Sequence, residues 1–172
     1  LPLWAHFRKF LLDEALAGAR DIIAELVNEL RDQYDPHPDL FNWSARTLES
    51  LSQGQDVASV TLRYELKMLR MLGHQPALEQ CAECGRAVGG ESKLAFGLVH
   101  GGMLCPRCRG GKRHVVHMSA DAWNLLGVSA RSQDAAEPGA PPGRRGYGEA
   151  RAVMNRYLAH LVGHPLKMHE IM

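Results

Sequence analysis

Two close pairs of cysteines constrain this chain more than any other feature of its sequence. Cys81 and Cys84 form the first pair, Cys105 and Cys108 form the second, and twenty residues separate the pairs. Two intervening residues let both sulfurs of a pair face one ion, and two such pairs complete a tetrahedral shell of four thiolates. The chain has no fifth cysteine. The spacing therefore predicts one structural Zn²⁺ ion bound by all four cysteines.

Other uses of these cysteines fit the spacing less well. Disulfides form in secreted chains, and no signal peptide is recognisable in this sequence. A redox Cys-x-x-Cys motif occurs more often as a single pair beside a βαβ pattern. A catalytic zinc keeps one coordination position open to water, whereas four thiolates fill the shell. The cluster therefore favours a metal that stabilises the fold, and we expect the protein not to be an enzyme.

The charge of the chain is unevenly distributed. Residues 1–60 carry five Lys/Arg and ten Asp/Glu, a net of −5, whereas residues 61–172 carry fifteen and nine, a net of +6. A basic half beside an acidic half suggests a polyanionic partner, although charged helix surfaces are common in any globular protein. No apolar run approaches the ~20 residues needed to span a bilayer, so no membrane association is expected.

Apolar residues at helical spacing predict a mainly α fold of about five helices with a small inserted four-cysteine zinc module. The predicted helices cover residues 5–33, 38–52, 57–72, 119–128 and 148–162. Ser119 is suited to an N-cap, and Gly54, Gly73 and Gly163 are plausible helix ends. The residues of the second helix predicted to face inward are Leu40, Phe41, Ser44, Leu48 and Leu51.

The same pattern divides the chain into three parts. Residues 1–77 and 118–172 would form the helical domain, and residues 78–117 would form the zinc module. Within the module, residues 94–104 resemble a short hairpin with glycines at its turn. Residues 129–146 are rich in Pro, Gly, Ala and Ser and predict a flexible loop.

Two groups of basic residues are candidates for contacts with DNA or a partner. One follows the second cysteine pair and comprises Arg107, Arg109, Lys112 and Arg113. The other forms a stripe at helical spacing on the third helix and comprises Arg63, Lys67 and Arg70. Either group could instead be an ordinary solvated surface. His114 and His117 follow the second pair, but four cysteines already complete a metal shell.

Several segments together resemble the RecO family of bacterial recombination mediators. Residues 63–73 lead through Pro76 to the first Cys-x-x-Cys-Gly, as in that family, and residues 101–108 are similar to its second cysteine pair. Residues 157–167 resemble its C-terminal helix and ending, and residues 35–41 fit the turn before its second helix. The resemblance covers nearly the whole chain.

The resemblance implies a DNA repair and recombination mediator of the RecF pathway, cytoplasmic and associated with the nucleoid. Such a protein binds single- and double-stranded DNA and anneals strands. It also contacts the acidic C-terminal tail of single-stranded-DNA-binding protein, and with RecR it helps to load RecA. Arg63, Lys67 and Arg70 would border the tail site, with Leu66 and Leu69 forming an apolar slot.

The chain departs from the family pattern at several positions. The family begins with an OB-fold, whereas residues 1–33 have a helical pattern, so that domain is expected to be missing here. His74 replaces an aromatic residue, and residues 166–169 weaken a basic ending. The alternative interpretation is a zinc-ribbon protein-interaction or transcription module without a role in repair.

Overall fold

The computed structural model describes residues 3–30, 38–132 and 144–166; the side chains of 3–12, 14, 15, 30, 144 and 145 are outside this description. The helices are α1 (Leu3–Leu30), α2 (Pro38–Ser52), α3 (Val57–Met71), α4 (Ala120–Arg131) and α5 (Arg144–Val162). The strands are β1 (Leu94–Gly97), β2 (Gly102–Leu104) and β3 (Val115–Met118). The prediction of a mainly α fold with a small inserted module is confirmed.

The ends of the helices follow local sequence signals. Ser119 caps α4, because its hydroxyl accepts a hydrogen bond from the Ala122 amide at 3.3 Å. Asp56 caps α3 by accepting from the Ser59 amide at 2.8 Å. Gly73, at φ 79°, follows α3 in the left-handed conformation that glycine adopts without a steric penalty.

Two predicted boundaries differ from the structure. Residues 129–131 continue α4 and residues 144–147 belong to α5, so both helices extend into or beyond the predicted loop 129–146. Residues 133–143 of that loop, and residues 31–33 of the first predicted helix, lie outside the described residues. The earlier start of α5 has a simple cause: glycine lowers helix propensity, but Gly146 is buried against α4, and this packing outweighs that preference.

Helix α3 lies at the centre of the fold. It packs against α1, α2 and α4, and ten of its fifteen residues are buried. Among these is Tyr64, which is 0% exposed, and its hydroxyl lies 2.9 Å from the hydroxyl of Ser44 on α2. Burial raises the pKa of Tyr64 to about 12. Because α3 is covered on several sides, its surface is largely removed from solvent.

Helix α2 turns a different face inward from the one predicted. Trp43 and Thr47 are buried with Leu40 and Leu51, whereas Phe41 is 75% exposed and Leu48 is 36% exposed. The prediction was wrong for Phe41 and Leu48. Hydrophobicity alone did not reveal which of two adjacent apolar stripes faces α3.

The three strands form an antiparallel sheet in the order β2-β1-β3. The predicted hairpin of β1 and β2 is confirmed, with Phe96 opposite Met103. Strand β3 was not predicted; it pairs with β1 and places Val116 opposite Phe96. Only four residues long, β3 gives a weak local signal, and its partner lies about twenty residues earlier in the chain.

The sheet has two differently covered faces. Leu94, Phe96 and Met103 are buried in the main hydrophobic core with residues of the helices. Ala95 and Leu104 instead pack with Cys81 and Cys105 in a smaller cluster. The sheet therefore lies between the helices and the cysteines. None of the helices in the described part of the chain is long and apolar enough to cross a membrane.

Candidate metal centre

The two cysteine pairs lie in turns of the same kind. In the first, the amide of Gly85 donates to the carbonyl of Cys81 at 2.9 Å. In the second, the amide of Arg109 donates to the carbonyl of Cys105 at 3.0 Å. Gly85 has φ 71°, which explains why a glycine directly follows the first pair. Each turn directs both of its cysteines to one side, as the two-residue spacing requires.

Strand β2 and the segment before the first turn bring the pairs together. Ala77 lies beside Gly102 in a parallel bridge, and the Met103 amide donates to the Ala77 carbonyl at 2.8 Å. The amide of Ala82 donates to the Met103 carbonyl at 2.8 Å. A Cβ on Gly102 would lie 2.6 Å from the Ala77 carbonyl oxygen, so only glycine allows this close approach.

The four cysteine sulfurs form one compact cluster. All four Sγ atoms lie within 4.8 Å of one another, and the Sγ atoms of Cys84 and Cys105 are 3.8 Å apart. A tetrahedron with Zn–S bonds of about 2.3 Å has S–S edges of about 3.8 Å. The donor set and its dimensions therefore fit a four-thiolate zinc site. Cys81 and Cys105 are buried, Cys108 is half-buried and Cys84 is exposed.

Hydrogen bonds lower the pKa of Cys81 and of Cys105, which favours the thiolate form of both. Burial alone would raise the pKa of Cys81, but backbone amides, first among them that of Cys105 at 3.4 Å, lower it to about 6. A backbone hydrogen bond from Cys108 is the main cause of the lowered pKa of Cys105. The pKa of Cys108 is raised to about 12, chiefly by its side-chain hydrogen bond with Cys105. A metal bound to all four sulfurs would replace the remaining thiol protons.

The module is attached to the helices by two aromatic side chains. Trp123 of α4 donates from its indole nitrogen to the Leu78 carbonyl at 2.7 Å. Tyr157 of α5 donates to the His74 carbonyl at 2.9 Å, and its ring packs edge-on against Phe96 at a centroid distance of 5.3 Å. The cysteines are thereby held in a fixed position relative to α4 and α5.

The basic residues after the second pair fall into two classes. Arg107 and Arg113 are exposed. Arg109 and Lys112 are engaged in ion pairs, Arg109 with Glu91 at 3.4 Å and Lys112 with Glu83 at 2.9 Å. His114 and His117 are exposed and are not members of the four-cysteine cluster.

The basic stripe predicted on α3 is not a continuous surface. Arg63 is only 5% exposed, and Lys67 is half-buried with its ammonium 5.0 Å from the Trp43 ring centroid. Arg70 is exposed and lines a cavity of about 690 Å³ between the end of α3, residues 75–80 and the end of α4. The prediction that Arg63 borders an accessible slot differs from the structure, because α3 is buried on several sides.

The apolar slot predicted on α3 is absent from the described surface. Leu66 is 2% exposed and Leu69 is 0% exposed, so both belong to the core. A different apolar groove, of about 650 Å³, runs between α1 and α2 and includes Ile23, Val27 and Leu48. Leu48, the α2 residue of this groove, is one of the residues predicted to face the interior.

Sequence reasoning also missed a buried ion pair. Arg151 of α5 donates from its two terminal nitrogens to Glu65 of α3 at 2.6 and 2.8 Å. The Glu65 side chain is 0% exposed and that of Arg151 is 10% exposed. A carboxylate among the apolar residues of α3 was the one available signal, because buried carboxylates require a partner.

Comparisons with known proteins place this chain in a family. The family described as "Recombination protein O C terminal" matches residues 14–170. A DNA repair protein RecO from Rhodopirellula baltica is 36% identical over 121 residues, covering 70% of this chain and 43% of the relative. Another, from Anaeromyxobacter sp. strain K, is 35% identical over 149 residues, covering 83% of this chain and 56% of the relative.

A third relative, the DNA repair protein RecO from a Roseiflexus species, is 33% identical over 159 residues, which are 91% of this chain and 55% of the relative. The chain thus spans about half the length of the curated relatives it matches. No solved structure matches it. Because the family match includes the helices as well as the four cysteines, the chain belongs to the RecO C-terminal family of DNA repair proteins.

Proposed function

We propose that this chain is the DNA- and partner-binding part of a recombination mediator, and that it acts without catalysing a reaction. Its family membership is the observation that carries the proposal. A shell of four thiolates leaves no open coordination position for a substrate, which supports a non-enzymatic role. Strand annealing, RecA loading with RecR, and a cytoplasmic, nucleoid-associated location belong to the same proposal. A zinc-ribbon module without a repair role would not account for a family match over residues 14–170.

The metal in this proposal is one Zn²⁺ ion held by Cys81, Cys84, Cys105 and Cys108. It would supply folding free energy, because the two turns have little apolar surface of their own to bury. The proposal also divides the chain into a zinc module, residues 78–117, and a helical domain, residues 1–77 and 118–172. Metal analysis should find one zinc per chain in the natural sequence and a large loss in Cys105→Ser.

A matched control tests whether a histidine replaces a cysteine as ligand. His117→Ala changes an exposed side chain on β3, within the same module. It should retain one zinc per chain, because His117 is not a member of the cysteine cluster. Full zinc occupancy in Cys105→Ser, or zinc loss in His117→Ala, would contradict the assignment.

Arg107 and Arg113 are the best candidates for direct contacts with DNA. Both are exposed, whereas Arg109 forms an ion pair with Glu91 and Lys112 forms one with Glu83. Cations held beside a metal-stabilised turn can bind phosphates and release counterions. Contacts by Arg109 and Lys112 would require exchange of a partly exposed ion pair, which involves little free energy.

Fluorescence anisotropy with labelled single-stranded DNA at several salt concentrations tests this interface. Arg107→Ala and Arg113→Ala should each weaken binding and reduce the slope of log K against log salt by roughly 0.7. Arg46→Ala, an exposed arginine on α2, is the control and should leave both quantities unchanged. Equal effects from all three variants would indicate a diffuse charge effect instead of a defined interface.

The proposal also includes a contact with a protein partner, and Arg70 is the residue of α3 that we expect to make it. Of the three α3 residues predicted to border the site for the acidic tail of single-stranded-DNA-binding protein, Arg70 is exposed and borders a cavity. Arg70→Ala should weaken binding of an acidic tail peptide in a titration, whereas Arg46→Ala should not. Arg63→Ala is a poor test, because removing a side chain that is 5% exposed would also disturb the core. Unchanged peptide affinity in Arg70→Ala would exclude this position.

A further inference from the structure

The four cysteines differ sharply in their accessibility. Cys81 and Cys105 are 2% and 3% exposed and pack with Ala95 and Leu104 against the sheet. The Sγ of Cys81 accepts a hydrogen bond from the Cys105 amide at 3.4 Å, which further shields that sulfur. Cys108 is half-buried, and Cys84 is exposed. A dissolved reagent therefore reaches the cluster most easily at Cys84.

We propose that Cys84 is an oxidant-sensitive modification site through which peroxides release the metal. The inference rests on the zinc site proposed above. Thiolate reactivity toward peroxides follows exposure, and Cys84 is the exposed member of the cluster. A second sulfur is within reach, because Cys105 Sγ lies 3.8 Å from Cys84 Sγ. The cluster therefore contains both the thiolate that is oxidised and a thiolate that can resolve it.

The chemistry requires only one peroxide as oxidant. The Cys84 thiolate attacks the peroxide; an S–O bond forms, the O–O bond breaks and hydroxide leaves, which gives a sulfenic acid. A second cluster thiolate then attacks this sulfur; an S–S bond forms, the S–O bond breaks and a second hydroxide leaves. Two thiolates supply the two electrons that reduce the peroxide. A metal held by the four cysteines would thereby lose two of its ligands, which would favour its release.

Oxidation at this position would act on the part of the module that carries the exposed arginines. Arg107 lies in the second turn, which is closed by the hydrogen bond from the Arg109 amide to Cys105. The inner face of the sheet is held separately by the helical core. Loss of the metal would therefore open the two turns while the helices stay folded, and added thiol and zinc would restore them.

The first test uses the zinc-loaded 172-residue chain and limiting hydrogen peroxide. Zinc release is followed with a chromophoric chelator, and the oxidised cysteines are identified by peptide mass spectrometry. Each released zinc should accompany a disulfide that includes Cys84. In parallel, N-ethylmaleimide should label Cys84 about tenfold faster than Cys81 or Cys105, because reactivity follows exposure.

The outcomes separate the two proposals. Purified chain without zinc would overturn the metal assignment and the release step. Zinc-loaded chain that loses its metal while Cys84 stays reduced, or that labels Cys105 as fast as Cys84, would overturn the inference alone. These readouts need no variant, so they do not depend on whether a cysteine substitution folds.

A charge test examines the surroundings of Cys84. Glu83 precedes it and pairs with Lys112 at 2.9 Å. Glu83→Gln should speed reaction with a dianionic aromatic disulfide, Lys112→Gln should slow it, and neutral N-ethylmaleimide should respond little. Glu79→Gln changes the comparable exposed pair with Arg131 and is the matched control. Identical rates in all the variants would contradict attack at Cys84.

Discussion

Arg151 of α5 and Glu65 of α3 connect two helices, and the two residues are 86 positions apart in the chain. The guanidinium of Arg151 donates to both carboxylate oxygens of Glu65, and it also donates to the Asn155 side-chain oxygen at 2.9 and 3.0 Å. Burial alone would lower the pKa of Arg151, but the adjacent Glu65 outweighs it and raises that pKa. The pair fixes the position of α5 on α3, since each buried charge has its counter-ion on the other helix.

Replacing one member of this pair tests its role. Arg151→Met should lower the free energy of unfolding by about 3–5 kcal/mol, because Glu65 would remain buried without its main counter-ion. Arg156→Met changes an exposed arginine on the same helix and should stay within about 0.5 kcal/mol. Urea denaturation at pH 7 measures both. Equal stability of the two variants would contradict the role assigned to the pair.

His164 provides a pH-dependent contact after α5. Its Nδ1 lies 3.1 Å from the Pro165 carbonyl, the main cause of its raised pKa, and its Nε2 lies 3.3 Å from a Glu29 oxygen. Because the folded-state pKa lies above the usual value of 6.5, the contact stabilises the fold fully below that pH. The stabilisation is lost as pH rises through the folded-state pKa.

The variant His164→Gln should therefore be less stable than the natural chain at pH 6, with the difference shrinking by pH 8.5. Denaturation of both proteins across this range provides the measurement. His160→Gln, an exposed histidine on the last turn of α5, is the control. A difference that grows with pH would have the wrong sign for this contact.

At the scale of elements, two glycines of α5 have opposite surroundings. A Cβ on Gly146 would lie 2.8 Å from the Asp121 carbonyl carbon and 3.0 Å from the Ala122 amide nitrogen, so α4 and α5 touch there. A Cβ on Gly148, two residues later, would meet nothing within 4 Å. The close approach of the two helices thus depends on Gly146 alone of this pair.

Alanine at these two positions should change stability in opposite directions. Gly146→Ala would separate α4 from α5 and should destabilise the protein by about 1–3 kcal/mol. Gly148→Ala should stabilise it by up to about 1 kcal/mol, because alanine has the higher helix propensity. Urea denaturation of both variants measures the sign of each change. Destabilisation by both substitutions would contradict the open space at the Cβ position of Gly148.

At the scale of the whole molecule, the sheet joins two sources of stability. Its inner face shares one hydrophobic core with the helices, and its outer face packs with Cys81 and Cys105. Trp123 and Tyr157 anchor the polypeptide on either side of Ala77. Metal loss therefore affects the outer layer directly and the helical core only through the sheet.

Removing zinc with a chelator should open the two cysteine turns and leave most of the helical structure intact. Hydrogen exchange should become fast at residues 81–88 and 105–112 but remain slow in α3, which is buried on several sides. Circular dichroism should show little loss of helix, and affinity for single-stranded DNA should fall. Cooperative loss of all five helices on chelation would instead show that the module and helices fold as one unit.

Local sequence signals determined the five helices, the β1–β2 hairpin and the four-cysteine cluster. These signals are helical periodicity, capping residues and the spacing within each cysteine pair. Each of them extends over only a few residues, so a single sequence is enough to predict the element. The family resemblance rested on the same kind of local motif, around the two cysteine pairs and the end of α5.

Only the tertiary structure decided which surfaces remain accessible. Arg63, Leu66 and Leu69 lie in a helix that neighbours cover on several sides, whereas Phe41 and Leu48 form a stripe that no described element covers fully. The pairing of β3 with β1 and of Arg151 with Glu65 joins distant parts of the chain. Such contacts depend on how the elements pack together, and the periodicity of a single element does not predict that packing.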